Sequence, residues 1–276
     1  MKNYTRWLHW NITRFCNLSC EYCFSHSPYK TGEIVKIDSE RVLENLDKFN
    51  EIFRISFTGG EPFLIKDFVQ FCTKISEKHY LSFNTNLTHN SIKLFAEDIN
   101  PERVIKIDAS FHYTQLKEKK LLDRYLNNFS LLKRNAFSIN SEQVAYPGLI
   151  SEIDVIRQIS EDNGLDLKFV PFFGVYNEKK YPESYTGEEI NLFDLDLSIL
   201  DKFNQKGEFC NAGYNVGVVF SNGNIKPCFQ IKENIGNIYE EIKFNPEPVF
   251  QCKSKICGCP MNVYDQKLFN IAREKF

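Results

Sequence analysis

Short β-like apolar runs recur through the first 175 residues, at 8–13, 53–57, 81–85, 104–110, 136–145 and 165–173. Between them apolar residues return every three or four positions, as an amphipathic helix requires, over 38–49, 66–78, 90–98, 116–134 and 149–162. Asp38 stands where a helix N-cap belongs, and Gly164 where a helix stops. Strands alternating with helices of this length imply βαβ units and a parallel sheet. Six such units are too few for a closed eight-stranded barrel and enough for an open one, so the pattern predicts an α/β fold on a partial (β/α)6 TIM-type barrel. In such barrels the chemistry sits at the C-terminal ends of the strands.

After about residue 175 the alternation stops. The stretch 176–189, YNEKKYPESYTGEE, reads as an exposed linker, and 194–205 as a helix. VGVVFSNGNIKPCF (216–229) gives two strands around Asn222-Gly223, a strong hairpin signal. The chain therefore divides into a partial barrel over 1–189 and a small C-terminal module of hairpin plus helix over 190–276.

Composition removes whole classes of function. With 42% apolar and 25% charged residues, the chain is that of an ordinary globular protein. A net charge of −2, from 34 basic and 36 acidic residues, gives no electrostatic case for binding nucleic acid or an anionic membrane. No apolar run approaches the ~20 residues of a membrane span. The start, MKNYTRWLHWN, has no signal-peptide core, so a cytoplasmic location is expected. Nine cysteines in that compartment are not a disulfide framework.

Three of them stand in RFCNLSCEYCF as C-x3-C-x2-C: Cys16, Cys20 and Cys23. Purely structural zinc and iron–sulfur sites take four protein ligands, whereas three leave a position open for a substrate or cofactor. A zinc knuckle borrowing His26 is the plainer alternative. Five more, Cys210, Cys228, Cys252, Cys257 and Cys259, surround the late hairpin, where either an iron–sulfur cluster or a zinc ribbon would staple a module too small to hold itself together. Cys72, in the apolar helical stretch FVQFCTKI, is a core residue.

The cysteine loop follows the first strand, and FTGGEPFL (57–64) follows the second. The two together resemble the radical S-adenosylmethionine (SAM) superfamily. The resemblance implies a 4Fe–4S cluster on Cys16, Cys20 and Cys23 whose fourth iron is chelated by SAM, and so supplies the missing ligand. It also implies a SAM site made by Tyr22 against adenine, by Gly59 and Gly60 where backbone must come close, by Glu61 supporting the turn and by Pro62 fixing it. Polar groups at the ends of strands 3 and 4, Asn84, Asn86, Ser110 and His112, are the candidates for ribose, SAM carboxylate and substrate, with His112 in a catalytic role. The segment from Cys210 through GNIKPC to CKSKICGCP resembles the twitch or SPASM auxiliary-cluster domain, which implies a second 4Fe–4S cluster on four of the five late cysteines.

By the same resemblance, the protein is an oxidoreductase-type enzyme that cleaves SAM reductively to methionine and a 5′-deoxyadenosyl radical, fed by a flavodoxin- or ferredoxin-type electron donor. That radical takes hydrogen from a substrate C–H bond, and an auxiliary cluster accepts the electron left behind, for a net oxidation. The first strand begins near residue 8, leaving no room for a leader-binding domain ahead of the barrel, so a small polar metabolite is expected. Two other readings are a ribosomal-peptide maturase, acting on a short peptide with a separate leader-binding partner, and a zinc-stapled binding scaffold.

Overall fold

The computed structural model describes residues 2–23, 36–198, 200, 206–254, 257 and 265–275. The alternation becomes β1 (Arg6–Thr13), α1 (Ser39–Asp47), β2 (Phe53–Gly59), α2 (Phe68–Ser76), β3 (Tyr80–Thr85), α3 (Ser91–Asp98), β4 (Val104–Ser110), α4 (Tyr113–Glu118), α5 (Leu122–Arg134), β5 (Ile139–Val144), α6 (Ile153–Asn163) and β6 (Leu167–Val170). Asp38 caps α1 by accepting the Arg41 N–H, and Gly164 ends α6 in the left-handed conformation, as expected. Strands β1 to β6 pair in chain order, all parallel.

The C-terminal part extends that sheet. After a short hairpin of β7 (Gly174–Tyr176) and β8 (Lys179–Tyr181) come α7 (Gly187–Phe193), β9 (Val216–Val219), β10 (Ile225–Lys226) and α8 (Gln266–Lys275). β9 runs parallel to β1 and pairs antiparallel with β10, so the open sheet reads β10-β9-β1-β2-β3-β4-β5-β6. Asn222-Gly223 makes the expected turn, with Gly223 at φ +85°. Among the described residues, no helix is long and apolar enough to cross a membrane.

Strand alternation gives the sheet two different faces. One carries Leu8, Trp10, Ile12, Ile55, Phe57, Leu81, Phe83 and Ile107 into a core with Val42, Phe71, Ile75, Phe95 and Phe129 of the helices. The other carries Trp7, His9, Asn11, Arg54, Ser56, Ser82, Asn84, Lys106, Asp108, Ser110 and Glu142, and is polar. His9 on β1 feels the charge of Lys106 on β4, three strands away, which a flat sheet would hold roughly 14 Å apart. The polar face is therefore the concave inside of a partial barrel.

The structure corrects four expectations. The helix expected over 116–134 is broken at Lys120, at φ +55°, into α4 and α5. The helix expected over 149–162 begins as a 3-10 turn, Pro147–Glu152, opened by a proline whose fixed φ and missing N–H suit a first turn. The linker expected over 176–189 holds most of the β7–β8 hairpin and the start of α7, closed by a Thr186–Glu189 capping box, and its Tyr181 and Tyr185 are buried. Asp194, placed at the start of a helix, is instead the left-handed stop of α7. Residues 199 and 201–205 of that expected helix lie outside the described residues.

His79, in the turn before β3, is buried, accepts the Phe53 N–H at Nδ1 (3.1 Å) and lies edge-on to the Phe53 ring. Burial lowers its pKa to about 4, and does the same to His9 and His112. Between about 4 and the ordinary 6.5 the unfolded chain takes up protons that the folded one refuses, so stability falls as pH drops through that window. His79→Asn keeps an acceptor for Phe53 and removes one titration. Its denaturation free energy should fall less steeply over that window than the wild type's, by up to about 1.4 kcal/mol per pH unit.

Candidate active site

The strand ends are tied together before any side chain reaches a ligand. The Gly60 N–H donates to the Thr13 carbonyl and the Glu61 N–H to the Phe15 carbonyl, both at 2.8 Å. Gly59 sits at φ +131°, and a Cβ there would lie 2.2 Å from the Thr13 oxygen; at Gly60 it would lie 2.0 Å from the Phe15 oxygen. Only glycine lets the loop after β2 close on the loop that carries the first cysteine. Glu61 is fully buried and accepts from Phe63 N (3.1 Å), Thr85 Oγ1 (2.8 Å) and Asn86 N (2.7 Å). Burial outweighs those donors and raises its pKa to about 7. Pro62 opens the 3-10 turn Pro62–Leu64 that Glu61 caps.

Cys16, Cys20 and Cys23 are free, half-buried thiols on one loop, turned by the Cys23 N–H onto the Cys20 carbonyl (3.1 Å). Cys16 Sγ accepts from Leu18 N (3.4 Å) and Asn86 Nδ2 (3.8 Å). Burial, reinforced by the neighbouring thiols, pushes Cys16 up to about 11 and Cys20 up to about 12. Among the described residues, no three ligand-type side chains converge on a single point as one zinc ion would need. Three thiols on one short loop that sense one another offer ligands to separate corners of a cube. His26, the alternative fourth ligand, lies outside the described residues.

Tyr22 is buried, with its hydroxyl 3.2 Å from His112 Nδ1 and 3.3 Å from the Gln143 amide that donates to it. Because burial keeps His112 neutral, the hydroxyl can donate to it while accepting from Gln143. The Tyr22 ring also packs on Tyr146 at 5.3 Å. The structure thus brings Tyr22 and His112 together. Nothing in the chain's apolar pattern marks Gln143, which becomes visible only once β4 and β5 are in register. Asn84 and Ser110 lie on the concave face opposite Asp108 and Glu142 respectively.

Below these groups the concave face is charged. Its floor is a closed set: Arg54 pairs with Asp265 (2.9 Å), Tyr4 donates to Asp265 (2.7 Å), Trp7 donates to Ser56 (2.8 Å), and Ser56 meets Ser82 (2.6 Å), which accepts from Arg54. Leu268 of α8 packs with Trp7 and Val216 beneath it. Higher up, Lys106 meets Asp108 Oδ2 at 2.5 Å, and Asp108 Oδ1 is buried without a hydrogen-bond partner. Burial and the Asp108 charge raise the pKa of Glu142.

The late cysteines form a second group. Residues 207–210 and 249–252 pair through Cys210 N to Val249 O (2.8 Å) and Cys252 N to Glu208 O (2.9 Å), and Cys210 senses Cys252, Cys228 and Cys257. Burial is the main cause that raises Cys210 to about 11. Phe229, next to Cys228, stands edge-on to His9 of the concave face at 5.7 Å. Cys259 lies outside the described residues. Cys72 is buried in the core, as expected.

The profile of the Radical SAM superfamily matches residues 10–149. The GTP 3′,8-cyclase of Campylobacter lari is 25% identical over 188 residues, 60% of this chain and 55% of that protein, so the chain spans about half of that relative's length. Native anSMEcpe with bound AdoMet superposes with a TM-score of 0.63 at 18% identity, covering 98% of this chain and 99% of that one. Streptococcus suis SuiB bound to the precursor peptide SuiA superposes with a TM-score of 0.56 at 16% identity, covering 97% of this chain and 66% of that one. At these identities the two structures speak to the fold alone.

Glu61 accepts three hydrogen bonds, and an amide in its place can accept only through its single oxygen. Glu61→Gln should therefore leave at least one buried N–H facing an NH2 group. A loss of roughly 1–3 kcal/mol in unfolding free energy is expected, measured by denaturant titration of the apo-protein.

Proposed function

This chain belongs to the Radical SAM superfamily, and we propose that it oxidises a small polar metabolite by removing hydrogen from one of its C–H bonds. As a radical SAM enzyme it uses a 4Fe–4S cluster and SAM. Cys16, Cys20 and Cys23 would hold the cluster, and the Gly59–Gly60–Glu61–Pro62 turn, Tyr22, Asn84 and Ser110 would bind SAM. When bound, cluster and SAM supply the one-electron chemistry that removes a hydrogen atom from an unactivated C–H bond. A flavodoxin- or ferredoxin-type protein is the proposed electron source.

The chain's own residues orient the substrate and keep water out. The satisfied floor of Arg54, Asp265, Tyr4, Ser56 and Ser82 seals the barrel beneath the site. Above it Asp108 offers an acceptor with no partner, which suits a substrate carrying a hydroxyl or amine donor. His112, neutral and joined to Tyr22 just past the end of β4, would align the reacting bond.

One observation carries the oxidation: Phe229, adjacent to Cys228, touches His9 on the concave face. Residues 190–276 are read as a twitch- or SPASM-like module, with Cys210, Cys228, Cys252 and Cys257 as ligands of a second 4Fe–4S cluster beside the substrate. A second cluster there would supply a one-electron acceptor beside the substrate, so that loss of one hydrogen atom, one electron and one proton would make the net change a two-electron oxidation. The Campylobacter relative's name, a cyclase acting on GTP, supports a small polar substrate.

The first test is iron and sulfide content after anaerobic reconstitution, with dithionite-driven release of 5′-deoxyadenosine in the same sample. About eight irons per chain are expected in the wild type and about four in Cys228→Ala. Cys20→Ala should release no 5′-deoxyadenosine. Zinc in place of iron, without SAM cleavage, would leave only a stapled binding scaffold. On an identified substrate, Asp108→Asn should raise KM roughly tenfold with a smaller change in kcat, since it alters binding rather than bond cleavage.

A further inference from the structure

Three side chains at the ends of β1 and β3 close a ring of hydrogen bonds beside the first cysteine. Asn86 Nδ2 donates to Asn17 Oδ1 (2.9 Å), Asn17 Nδ2 donates to Thr88 Oγ1 (2.8 Å), and Thr88 Oγ1 donates to Asn86 Oδ1 (2.6 Å). Each member gives one bond and receives one. The direction of the ring is fixed from outside, because the Thr88 backbone N–H also donates to Asn86 Oδ1 (3.1 Å). A backbone N–H cannot accept, so the amide oxygen must face Thr88 and the amide nitrogen must face Asn17. One amide hydrogen is used there; the other is directed at Cys16 Sγ, 3.8 Å from the nitrogen. The Asn86 backbone is held in turn by Glu61 Oε2 (2.7 Å). Asn86 and Thr88 are 3% and 2% exposed, so every polar atom of the Asn86 side chain is committed within the protein.

We propose that Asn86 is a positioning residue for the SAM-binding cluster: the Asn17–Asn86–Thr88 ring dedicates an amide hydrogen to the Cys16 sulfur, fixing that ligand and raising the reduction potential of the cluster it holds. This rests on the reading that Cys16 is a cluster ligand. A donor on a ligating sulfur stabilises the reduced, more negative cluster more than the oxidised one, and hydrogen bonds to sulfur are among the levers that set such potentials. The role differs from the SAM contact expected from the residue's place at a strand end, since no donor of Asn86 is left for a bound molecule.

The experiment is an anaerobic redox titration of the reconstituted holoprotein, following the iron–sulfur EPR signal that added SAM perturbs. In Asn86→Ala, poised at the wild-type midpoint, the reduced-to-oxidised ratio should fall roughly fivefold, the worth of one hydrogen bond. Asn17→Ala breaks the ring but leaves the amide in place, and should move the ratio in the same direction by less; it decides the matter if Asn86→Ala fails to take up iron. Asn128→Ala loosens the same loop from its other side, where Asn128 Nδ2 holds the Leu87 carbonyl at 2.7 Å, and should leave the ratio unchanged. Variants at 86 and 17 that titrate with the wild type, or a variant at 128 that shifts as far as they do, would overturn the proposal while leaving the cluster reading intact. A wild-type protein with no SAM-perturbed iron–sulfur signal would overturn both.

Discussion

The buried carboxylate of Glu61 is where the site is tied together. Its own N–H reaches back to the loop after β1, its oxygens gather N–H and O–H donors from the turn after β2 and from the end of β3, and through Asn86 it reaches the Cys16 sulfur. A fully buried carboxylate is expensive unless its acceptors are filled, and here three donors fill them. The same three donors would be orphaned without it. The glycines on its N-terminal side complete the device, because any Cβ at Gly59 or Gly60 would push the β2 loop off the carbonyls of Thr13 and Phe15. Three strand ends that would otherwise carry independent loops are thereby held as one rigid shelf.

A second constraint comes from the far end of the chain. Arg54 and Asp265 lie 211 residues apart and form an ion pair with side chains 6% and 2% exposed. Such a pair gains little net stability over apolar residues of the same size, because both charges lose their water. What it does is specify position: Asp265 at the start of α8 can be satisfied only under the barrel, where Arg54 and Tyr4 wait for it. With β9 paired to β1, this fixes both ends of the late cysteine segment to the barrel, which is why a residue beside Cys228 can stand against His9 on the concave face.

Much of this was legible in the chain because local chemistry dictates it. An Asn-Gly between two β runs and an aspartate ahead of a helical period each act within a few residues, and both did so as read, whereas the glycine pair after β2 closes on the distant carbonyls of Thr13 and Phe15. The concealed parts depend on neighbours distant in sequence. The stretch 176–189 looked like a linker because its charges are many and its strands three residues long; its Tyr181 and Tyr185 are buried against Phe172 and Phe193, and the Tyr185 hydroxyl finds the Ala145 carbonyl at 2.6 Å. Lys120 breaks a helical period with a left-handed residue that no apolar spacing can reveal. The ring of Asn17, Asn86 and Thr88 joins residues up to 71 positions apart, and only β1 and β3 flanking a common strand bring them together.

The concave face can be divided by asking which of its polar groups are already spent. On the floor, Arg54, Asp265, Tyr4, Trp7, Ser56 and Ser82 find partners among themselves, so a molecule entering the barrel would have to break bonds to gain any there. One level higher the ledger does not close. Lys106 occupies only one oxygen of Asp108, and the other is buried without a donor, a condition that costs roughly 1–3 kcal/mol. Glu142, its pKa raised by burial and by the Asp108 charge, adds to the same excess of acceptors. Folded chains seldom retain such an excess unless something else fills it. The polar groups of the concave face thus divide into a floor whose bonds are made and a level above it, at Asp108 and Glu142, where acceptors outnumber the donors that reach them.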